Sequence, residues 1–472
     1  MAVLKDLSPA GVLSYFEEIS KIPRPSGSEE KIGQYLCDLA EEKGLWHRMD
    51  AVGNVVIIRE ASEGFEEREP LILQAHMDMV TAPDDPPVTL ILEGDTIHAD
   101  GTTLGADDGI GVAMILALLT EDLPHPRLEA LFTVSEETGM EGAFGMDSSP
   151  FTGKQLINLD SETEGEFLVS CAGGSTAGLS LPIEREEKTN VLAKIRLSGG
   201  LGGHSGIEIN KERANALMLL SRFLFTLKET VDYDLISFSG GTRNNVIPRE
   251  AEADVLIPAD QAGLLSEEAE KAGKVFQSEF AASDPDLVLS VTRTEEQSSR
   301  EVLTKASRDR LLTLLALLPN GIQSMNPAIP DLVKTSLNIG VLALENKECK
   351  ADLLLRSSET SERVWMEQRL SALSKVMGAE LQINSPYPAW EWRKDSPLRD
   401  RMAEVYEKMF HKAPRITAIH AGLECGILME KLPDLDAISL GPDILGAHTK
   451  EERVSVASVG RVYEFLRTFV SA

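Results

Sequence analysis

The chain has 472 residues, of which 42% are hydrophobic, and its formal net charge is −30 at pH 7. That length exceeds one ordinary hydrophobic core and indicates two domains. The acidic balance opposes binding to nucleic acid or to an anionic membrane, because both need positive charge to displace counterions. No apolar run approaches the roughly 20 residues of a membrane-spanning helix. We therefore expect a cytoplasmic protein without nucleic-acid or membrane partners.

The cysteines leave only some kinds of metal site open. Cys37, Cys171, Cys349 and Cys425 lie far apart, and none forms a CxxC pair. This spacing argues against a disulfide framework and against a zinc site made of thiolates. Any metal site in this chain must therefore use histidine, aspartate and glutamate side chains.

Residues 71–80, which read LILQAHMDMV, follow two predicted helices and a first strand, and they predict a buried strand. An unpaired charge away from water costs several kcal/mol, so the polar residues at its end need partners. His76 could present one ring nitrogen to a metal while Asp78 holds the imidazole in the required tautomer. A histidine with ordinary hydrogen bonds at a strand end is the alternative interpretation.

The segment DGTTLGADDGIG places Asp107 and Asp108 at the mouth of a buried helix predicted over residues 111–119. Carboxylates at a helix N-terminus are commonly caps. Capping explains one aspartate well. The two adjacent aspartates are flanked by Gly105 and Gly109, which let the backbone approach closely, and this arrangement favours a metal bridge.

Further acidic residues and a histidine appear where later strands or loops end. The strand in LEALFTVSEE runs directly into Glu136 and Glu137, QLINLDSE ends in Asp160, and DAISLGPDILGAH leads to His448. In an open α/β sheet, ligands bind at the carboxyl ends of strands. Two histidines and several carboxylates without thiols suit a pair of divalent metals such as zinc, cobalt or manganese.

The middle of the chain has a different organisation. Residues 191–292 are predicted to form a βαββαβ unit, and a second, partial copy follows from residue 308. The fold class is thus α/β, with a mixed-sheet catalytic domain interrupted by an α+β insertion of two ferredoxin-like lobes. The predicted segments are residues 1–186 for the first part of the catalytic domain, 187–386 for the insertion and 387–472 for the second part.

Seven motifs occur in order over almost the whole chain: LQAHMDMV, DGTTLGADDGIG, SEETGMEGA, INLDSE, GGHSG, HAGLECG and GAH. In this set the sequence resembles the dinuclear metallopeptidase clan of aminoacylases and glutamate carboxypeptidases. Within that clan it is most similar to the aminoacyl-histidine (Xaa-His) dipeptidases. Each motif alone is weak, but seven in order are highly specific.

The resemblance implies a role for each acidic residue and histidine of these motifs. Asp78 would orient a histidine ligand, Glu136 would be the general base, and Asp107 and Asp108 would share a cis peptide bond. The implied metal ligands are His76 and Asp160 for one ion, Glu137 and His448 for the other, and Asp107 as the bridge.

The resemblance also implies residues that contact the substrate. The inserted domain would be a lid, and His204 in GGHSG would belong to it and reach the substrate carbonyl. His420 and Glu424 in HAGLECG are either a second substrate contact or the start of a helix beside the site. The residues that fall where lids of similar dipeptidases contact the substrate carboxylate are Asn244, Asn245 and Arg356.

The implied activity is metal-dependent hydrolysis of dipeptides, of Xaa-His type or broad specificity, by a hydroxide between two metal ions, most simply zinc. The implied partner is a small peptide, and the sequence leaves open whether the chain forms a homodimer. An N-acyl-amino-acid amidohydrolase and a tripeptide aminopeptidase are alternatives on the same scaffold. A non-catalytic metal-binding scaffold is the third, and it requires Glu136 to be idle.

Overall fold

The structure, a computed structural model, describes residues 3–4, 6–82 and 85–472. The chain forms two compact units. The first unit comprises Met1–Cys171, Trp392–Ala418 and Leu423–Ala472, and the second comprises Ala172–Glu391 and Ile419–Gly422. The second unit therefore begins ahead of the boundary predicted at residue 187. It also includes His420, which the sequence analysis assigned to the second part of the catalytic domain.

Several helices begin where the sequence supplies a capping side chain. Asn215, Thr304, Ser396 and Ser455 each accept a hydrogen bond from the backbone amide three residues later, which is the usual N-cap. In the described part of the chain, no helix combines the length and apolarity needed to cross a membrane. The α-helices are α1 (Ala10–Ile19), α2 (Glu30–Glu42), α3 (Ala106–Thr120), α4 (Glu136–Gly139), α5 (Glu141–Gly145), α6 (Ala216–Leu227), α7 (Ala262–Glu279), α8 (Lys305–Leu317), α9 (Thr360–Met377), α10 (Pro397–Phe410), α11 (Glu424–Lys431) and α12 (Val456–Ser471).

The strands belong to two large sheets and two small ones. Those of the first part of the chain are β1 (Trp46–Met49), β2 (Val55–Arg59), β3 (Leu71–His76), β4 (Leu90–Glu93), β5 (Thr96–Ala99), β6 (Leu128–Thr133), β7 (Gln155–Asn158) and β8 (Glu166–Cys171). Those of the middle are β9 (Gly173–Pro182), β10 (Arg185–Ser198), β11 (Gly203–His204), β12 (Asp234–Gly240), β13 (Val246–Ile247), β14 (Ala251–Ile257), β15 (Val288–Leu303), β16 (Gly321–Met325), β17 (Val333–Leu344), β18 (Glu348–Ser357) and β19 (Glu380–Tyr387). The last are β20 (Arg415–Ile419), β21 (Asp436–Ser439), β22 (Ile444–Leu445) and β23 (Arg453–Ser455).

The first unit is built on a mixed sheet with strand order β1-β2-β6-β3-β7-β21-β8-β20. Its centre is parallel, because β6, β3, β7 and β21 run in one direction. Strands β3 and β6 are buried along their whole length, as expected for parallel strands covered on both faces. The predicted buried strand that ends near His76 is thus confirmed.

Helix α3 places the Asp107 loop beside this sheet. All residues from Ala106 to Leu119 are buried, and the helix packs against β3 and α1. A helix that is apolar on every side is buried on every side, which explains why this segment shows no amphipathic pattern. Its N-terminus carries Asp107 and Asp108, and the peptide bond between them is cis.

The second unit contains an antiparallel sheet with order β15-β10-β14-β12-β17-β18-β9-β19, and β16 pairs with β17. Strands β10, β12, β14 and β15 with α6 and α7 form one βαββαβ lobe in the order 4-1-3-2. The buried residues of α6–α9 and of the facing strands make one hydrophobic core shared by both lobes. The alternation of buried and exposed residues in strands such as β14 follows from this arrangement, in which helices cover one face.

The second lobe is complete, and its first strand lies where the sequence analysis did not expect it. Strands β9, β17, β18 and β19 again have the order 4-1-3-2 from the sheet edge, with α8 and α9 as the helices. Strand β9 is Gly173–Pro182, which precedes the first lobe in the chain. The first lobe is therefore inserted into the second. The second lobe looked partial in the sequence because this insertion separates its first strand from its other strands.

Candidate active site

Three neighbouring parallel strands deliver acidic residues and a histidine to one edge of the first unit's sheet. His76 ends β3, where it pairs in register with Thr133 of β6. Glu136 and Glu137 begin α4 just after β6, and Asp160 follows β7. Ligands bind at such carboxyl ends because loops from adjacent strands converge there.

Asp107 lies between two histidines. Its Oδ1 is 3.1 Å from His76 Nε2, and its Oδ2 is 2.9 Å from His448 Nε2. Each histidine has a second carboxylate nearby: Asp160 Oδ1 is 3.5 Å from His76 Nε2, and Glu137 Oε1 is 2.8 Å from His448 Nε2. The structure thus brings together the five residues that the resemblance implied as metal ligands, with Asp107 in the central position.

The arrangement fits a metal centre better than a set of hydrogen bonds. Glu137 Oε1 is buried and accepts no hydrogen bond from the described residues, although His448 Nε2 lies only 2.8 Å away. Two groups this close without hydrogen-bond geometry can instead face a shared cation. Ligand atoms of His76, Asp107 and Glu137 all lie within 4.8 Å of one another, and imidazole with carboxylate suits zinc, cobalt and manganese.

The site stabilises positive charge. Burial alone would lower the pKa of His76, but the carboxylates of Asp160 and Asp107 raise it well above its usual value. The adjacent carboxylates of Asp107 and Glu137 raise the pKa of His448 to about 11. Burial, together with the nearby carboxylates, raises the pKa of Asp160 to about 6. Bound divalent cations would supply the positive charge that these crowded carboxylates require.

Asp78 joins the loops that carry two groups of ligands. Its Oδ1 lies 3.4 Å from His76 Nδ1 and accepts a hydrogen bond from the amide of Glu136 at 3.0 Å. Its Oδ2 accepts hydrogen bonds from the hydroxyl of Ser26 at 2.7 Å and from the amide of Glu137 at 3.3 Å. Asp78 is fully buried. It can therefore orient both the imidazole and the backbone of the glutamate pair.

Glu136 is half-buried at the start of α4. Burial and the charge of Asp160 raise the pKa of Glu136 well above its ordinary value, and His76 opposes this shift. A raised pKa makes a carboxylate a stronger base, and the protonated carboxyl can still donate the proton again. That property suits a group that accepts a proton in one step and donates it in the next.

The glycines beside Asp107 have a different role from the one that the sequence suggested. A Cβ atom on Gly105 or Gly109 would lie 2.6 or 2.5 Å from Arg24 Nη2. These glycines make room for a buried arginine rather than for a metal ion. Asp108 turns back onto the helix, because its carboxylate oxygen lies 2.2 Å from where a Cβ on Gly111 would stand. Of the two aspartates, then, one faces the histidines and the other faces the helix start.

Sequence reasoning missed several buried or half-buried residues that support the site. Glu29 accepts hydrogen bonds from the amide and hydroxyl of Ser135, just before the glutamate pair. Arg24, Ser26 and Glu452 likewise contact the loops that carry ligands. The available signal was weak: charged and polar residues in the loop 23–29, and an acidic residue shortly after His448. Their partners lie too far along the chain for spacing to indicate them.

Glu424 lies inside the first unit and is fully buried. Its Oε2 accepts hydrogen bonds from Gln74 Nε2 and Thr133 Oγ1, both at 2.6 Å, and Asn158 donates to Gln74 in turn. Its Oε1 has no partner among the described residues. Burial raises the pKa of Glu424 to about 7. The structure thus gives Glu424 internal protein partners at the start of α11, and its contact with substrate stays a prediction.

The second unit has its own polar cluster. Arg356 Nη2 lies 3.5 Å from His204 Nε2, and Arg356 Nη1 donates to the hydroxyl of Tyr387 at 3.0 Å. His420 Nε2 is 2.8 Å from the hydroxyl of Ser336. A Cβ on Gly206 would meet His420, His204 and Arg356 together, so these three predicted substrate contacts converge around one glycine.

The backbone sets the tautomer of His204. Its Nδ1 accepts hydrogen bonds from the amides of Gly206 and Ile207, both at 3.2 Å. Burial and the positive charge of Arg356 lower the pKa of His204. A neutral ring whose Nδ1 is an acceptor carries its proton on Nε2. His204 can therefore act as a hydrogen-bond donor through Nε2.

Asn244 and Asn245 lie in the same unit, just before β13. Asn338 Nδ2 donates to the carbonyl of Asn244 at 2.8 Å, and the carbonyl of Asn245 accepts from the amide of Ser205 at 2.9 Å. Both contacts use backbone atoms, and both asparagine side chains are half-buried. The backbone of this loop is thus fixed next to the His204 loop, while the roles of the two side chains stay predictions.

The chain has extensive similarity to known peptidases. It is 38% identical to the cytosol non-specific dipeptidase of Escherichia coli (strain K12), over 99% of this chain and 98% of that protein. It matches the crystal structure of aminoacylhistidine dipeptidase from Vibrio alginolyticus with a TM-score of 0.91 and 34% identity, over 99% and 97% of the two chains. A tripeptidase from Staphylococcus aureus has a TM-score of 0.63 at 16% identity over 98% of each chain, which shows the fold alone.

These findings agree with the motifs identified in the sequence. The profile of peptidase family M20/M25/M40 matches residues 72–472. That range contains every predicted ligand, from His76 to His448. The resemblance inferred from the seven motifs is confirmed. The chain belongs to peptidase family M20/M25/M40.

Proposed function

We propose that this chain is a metallo-dipeptidase with two divalent metal ions held by the first unit. The observation that carries the proposal is the position of Asp107, each of whose oxygens faces a different histidine. A carboxylate that faces two imidazoles, each with a second carboxylate beside it, is suited to bridge two ions. The chain also belongs to a peptidase family.

In this proposal His76 and Asp160 would hold one ion, Glu137 and His448 would hold the other, and Asp107 would be shared between them. We propose zinc, since imidazole and carboxylate ligands without thiols suit it, with cobalt and manganese as alternatives. The bound ions would polarise the scissile carbonyl and lower the pKa of a water molecule to about 7. Three carboxylates balance most of the charge of two divalent ions, so the assembly is nearly neutral.

Glu136 is the proposed general base. Its raised pKa lets it take a proton from the attacking water and deliver it to the leaving amine, work typically worth about 10² to 10⁴ in rate. Asp78 holds the backbone amides of Glu136 and Glu137, so it positions the base as well as the imidazole of His76.

His204 is the proposed donor to the oxyanion that develops on the substrate carbonyl. The two amides on its Nδ1 leave the proton on Nε2, which is the tautomer that this role requires. Removing such a donor costs about 10² to 10³ in rate. Arg356, beside it, supplies the positive charge that would read the free carboxylate of a short peptide.

We propose that the substrates are dipeptides with a free carboxylate, and that specificity is either broad or of Xaa-His type. The support is the activity for which two similar proteins are named: a non-specific dipeptidase in Escherichia coli and an aminoacylhistidine dipeptidase in Vibrio alginolyticus. The Escherichia coli protein is cytosolic by name, and we propose the cytoplasm for this chain too.

A substrate panel tests the proposed activity. The zinc-loaded protein should hydrolyse Xaa-His and other dipeptides, and it should act poorly on tripeptides and on acetylated amino acids. Better turnover of tripeptides or of acetylated amino acids would favour one of the alternative activities. Treatment with a chelator should abolish hydrolysis, and added zinc should restore it.

Glu136→Gln separates an enzyme from a metal-binding scaffold. The variant should keep its metal content while dipeptide hydrolysis falls by about 10² to 10⁴. Glu141→Gln is the matched control, because Glu141 is an exposed glutamate on the neighbouring helix α5. Wild-type turnover by Glu136→Gln would remove the base assignment.

A further inference from the structure

The loop that carries Asp107 is held by a buried carboxylate from near the end of the chain. Glu452 is 2% exposed and lies four residues after His448. The amides that donate to its carboxylate are those of Leu104 (2.7 Å), Gly105 (2.9 Å), Ala106 (2.7 Å) and Asp107 (3.2 Å). One side chain thus ties the loop of one predicted ligand to the loop of another.

A buried arginine holds the same loop by its carbonyl groups. Arg24 is 1% exposed, and its Nη1 donates to the carbonyls of Met77 and Asp78 at 3.1 and 3.0 Å. Its Nη2 donates to the carbonyl of Gly105. The guanidinium therefore connects the residues just after His76 with the loop just before Asp107.

Gly105 is fixed on both sides: its amide donates to Glu452 and its carbonyl accepts from Arg24. Gly105 has a positive φ of 69°, and side chains at Gly105 or Gly109 would collide with the guanidinium. A buried cation and a buried anion are costly unless each compensates the other and hydrogen bonds stabilise both. The loop between them lets the carboxylate and both Nη atoms bind backbone groups while the two charges balance, and Nε of Arg24 has no partner among the described residues.

We propose that Arg24 and Glu452 are positioning residues that fix the Asp107 carboxylate relative to His76 and His448. The inference deepens the proposed function, since it takes Asp107 as a bridging metal ligand. Arg24 lies before residue 72, where the match to the family profile begins, so its role comes from the contacts in this structure. Neither residue contacts a reacting atom, and both act through the Asp107 loop.

The test uses Arg24→Met, Arg24→Lys and Glu452→Gln in the full-length protein. We expect zinc affinity, measured by competition with a chromogenic chelator, to fall by about 10- to 100-fold in Arg24→Met and Glu452→Gln. At saturating zinc, kcat should fall by a similar factor while KM changes less than about threefold, because substrate contacts remain. The zinc affinity and kcat of Arg24→Lys should lie between those of the wild type and those of Arg24→Met, because one ammonium group cannot reach carbonyls on two loops.

A spectroscopic readout separates positioning from general stability. The visible absorption of the Co²⁺-loaded protein reports ligand geometry, and we expect its bands to shift in the Arg24 and Glu452 variants. Gly109→Ala makes the same test without removing a charge, because its Cβ would displace the guanidinium. It replaces Arg24→Met if that variant does not fold.

Arg308→Met is the matched control. Arg308 is also buried and donates to a backbone carbonyl, that of Tyr233, but it lies in the second unit. The Arg308→Met variant should have a lower Tm than the wild type, with unchanged zinc affinity and an unchanged Co²⁺ spectrum. Wild-type zinc affinity, Co²⁺ spectrum and kcat in folded Arg24→Met, Gly109→Ala and Glu452→Gln would overturn the proposal. If wild-type protein itself binds no zinc, the proposed function fails instead.

Discussion

The polar clusters of the two units differ in charge and in how they are built. In the first unit, carboxylates outnumber histidines, and Asp160 and Asp107 raise the pKa of His76. In the second unit, burial and Arg356 lower the pKa of His204 and bring that of His420 to about 3. The first cluster is suited to cations. The second presents a fixed positive charge and neutral imidazoles, which suit the carboxylate and the carbonyl of a peptide.

The clusters also differ in their supports. The first unit's ligands stand at the ends of adjacent parallel strands, and buried charges such as Asp78 and Glu452 join their loops. The second unit's residues lie on an antiparallel strand and on loops whose backbone atoms hold them. We therefore expect substitutions of the predicted ligands in the first cluster to change metal binding, and substitutions in the second cluster to change only catalysis or substrate affinity.

Asp107→Asn should have the largest effect. The amide cannot supply two anionic oxygens, so we expect the bound zinc to fall from two ions to one or none. Loss of several kcal/mol of transition-state charge stabilisation corresponds to a decrease in kcat/KM of about 10³-fold or more. Metal analysis and a dipeptide assay check both expectations. Two zinc ions with wild-type activity in this variant would remove Asp107 from the bridge.

His204→Ala should reduce kcat by about 10² to 10³ and leave the zinc content unchanged, because it removes a donor to the oxyanion. His47→Ala is the control, since His47 lies on the edge strand β1, away from both clusters. A loss of zinc in His204→Ala would contradict the expectation that residues of the second unit do not affect metal binding.

Arg356→Met should raise KM for dipeptides by about 10- to 100-fold, the usual size for a hydrogen bond to a charged group. Dipeptide amides, which have no free carboxylate, should be affected much less. Equal increases in KM for dipeptides and for dipeptide amides would show that Arg356 does not bind the substrate carboxylate. Zinc content should again stay at the wild-type value.

Glu424→Gln should alter how stability depends on pH. Burial raises the pKa of Glu424 to about 7 in the folded protein, from an ordinary value of 4.5. The folded state therefore favours the protonated form of Glu424. The contribution of this carboxyl to the free energy of unfolding is fully present below pH about 4.5 and is lost as pH rises to about 7. The shift corresponds to about 3 kcal/mol of unfolding free energy.

Denaturant unfolding between pH 4.5 and 8 measures this contribution. The difference in unfolding free energy between the wild type and Glu424→Gln should decrease steadily from pH 4.5 to about 7 and then stay constant. Parallel curves over the whole range would mean that Glu424 keeps an ordinary pKa. Because the amide has the same shape as the acid, the comparison isolates the charge.

The sequence was informative where local pattern and chemistry coincide. His76, Glu137 and Asp160 follow apolar runs that form the central parallel strands, so their position at one sheet edge could be predicted. Strand β9 could not, because GGSTAGLSLP has large apolar residues only at Leu179 and Leu181 and its lobe continues only after the inserted one. A strand whose partners follow so much later in the chain has no local signal.

Long-range contacts were the other limit. Arg24 and Glu452 act on backbone atoms many residues away, and single charged residues in loops are more often solvated than buried. The glycines beside Asp107 were noticed, but their purpose depends on the guanidinium that fills the space. Burial of Glu424 was unpredictable for the same reason, since its partners Gln74 and Thr133 lie in strands β3 and β6.

Crystals of the zinc-loaded protein, measured at the zinc absorption edge, test the central claim most directly. We predict two anomalous peaks in the first unit, one between His76 and Asp160 and one between His448 and Glu137, with Asp107 bound to both. A single peak, or peaks away from Asp107, would contradict the proposed dinuclear centre.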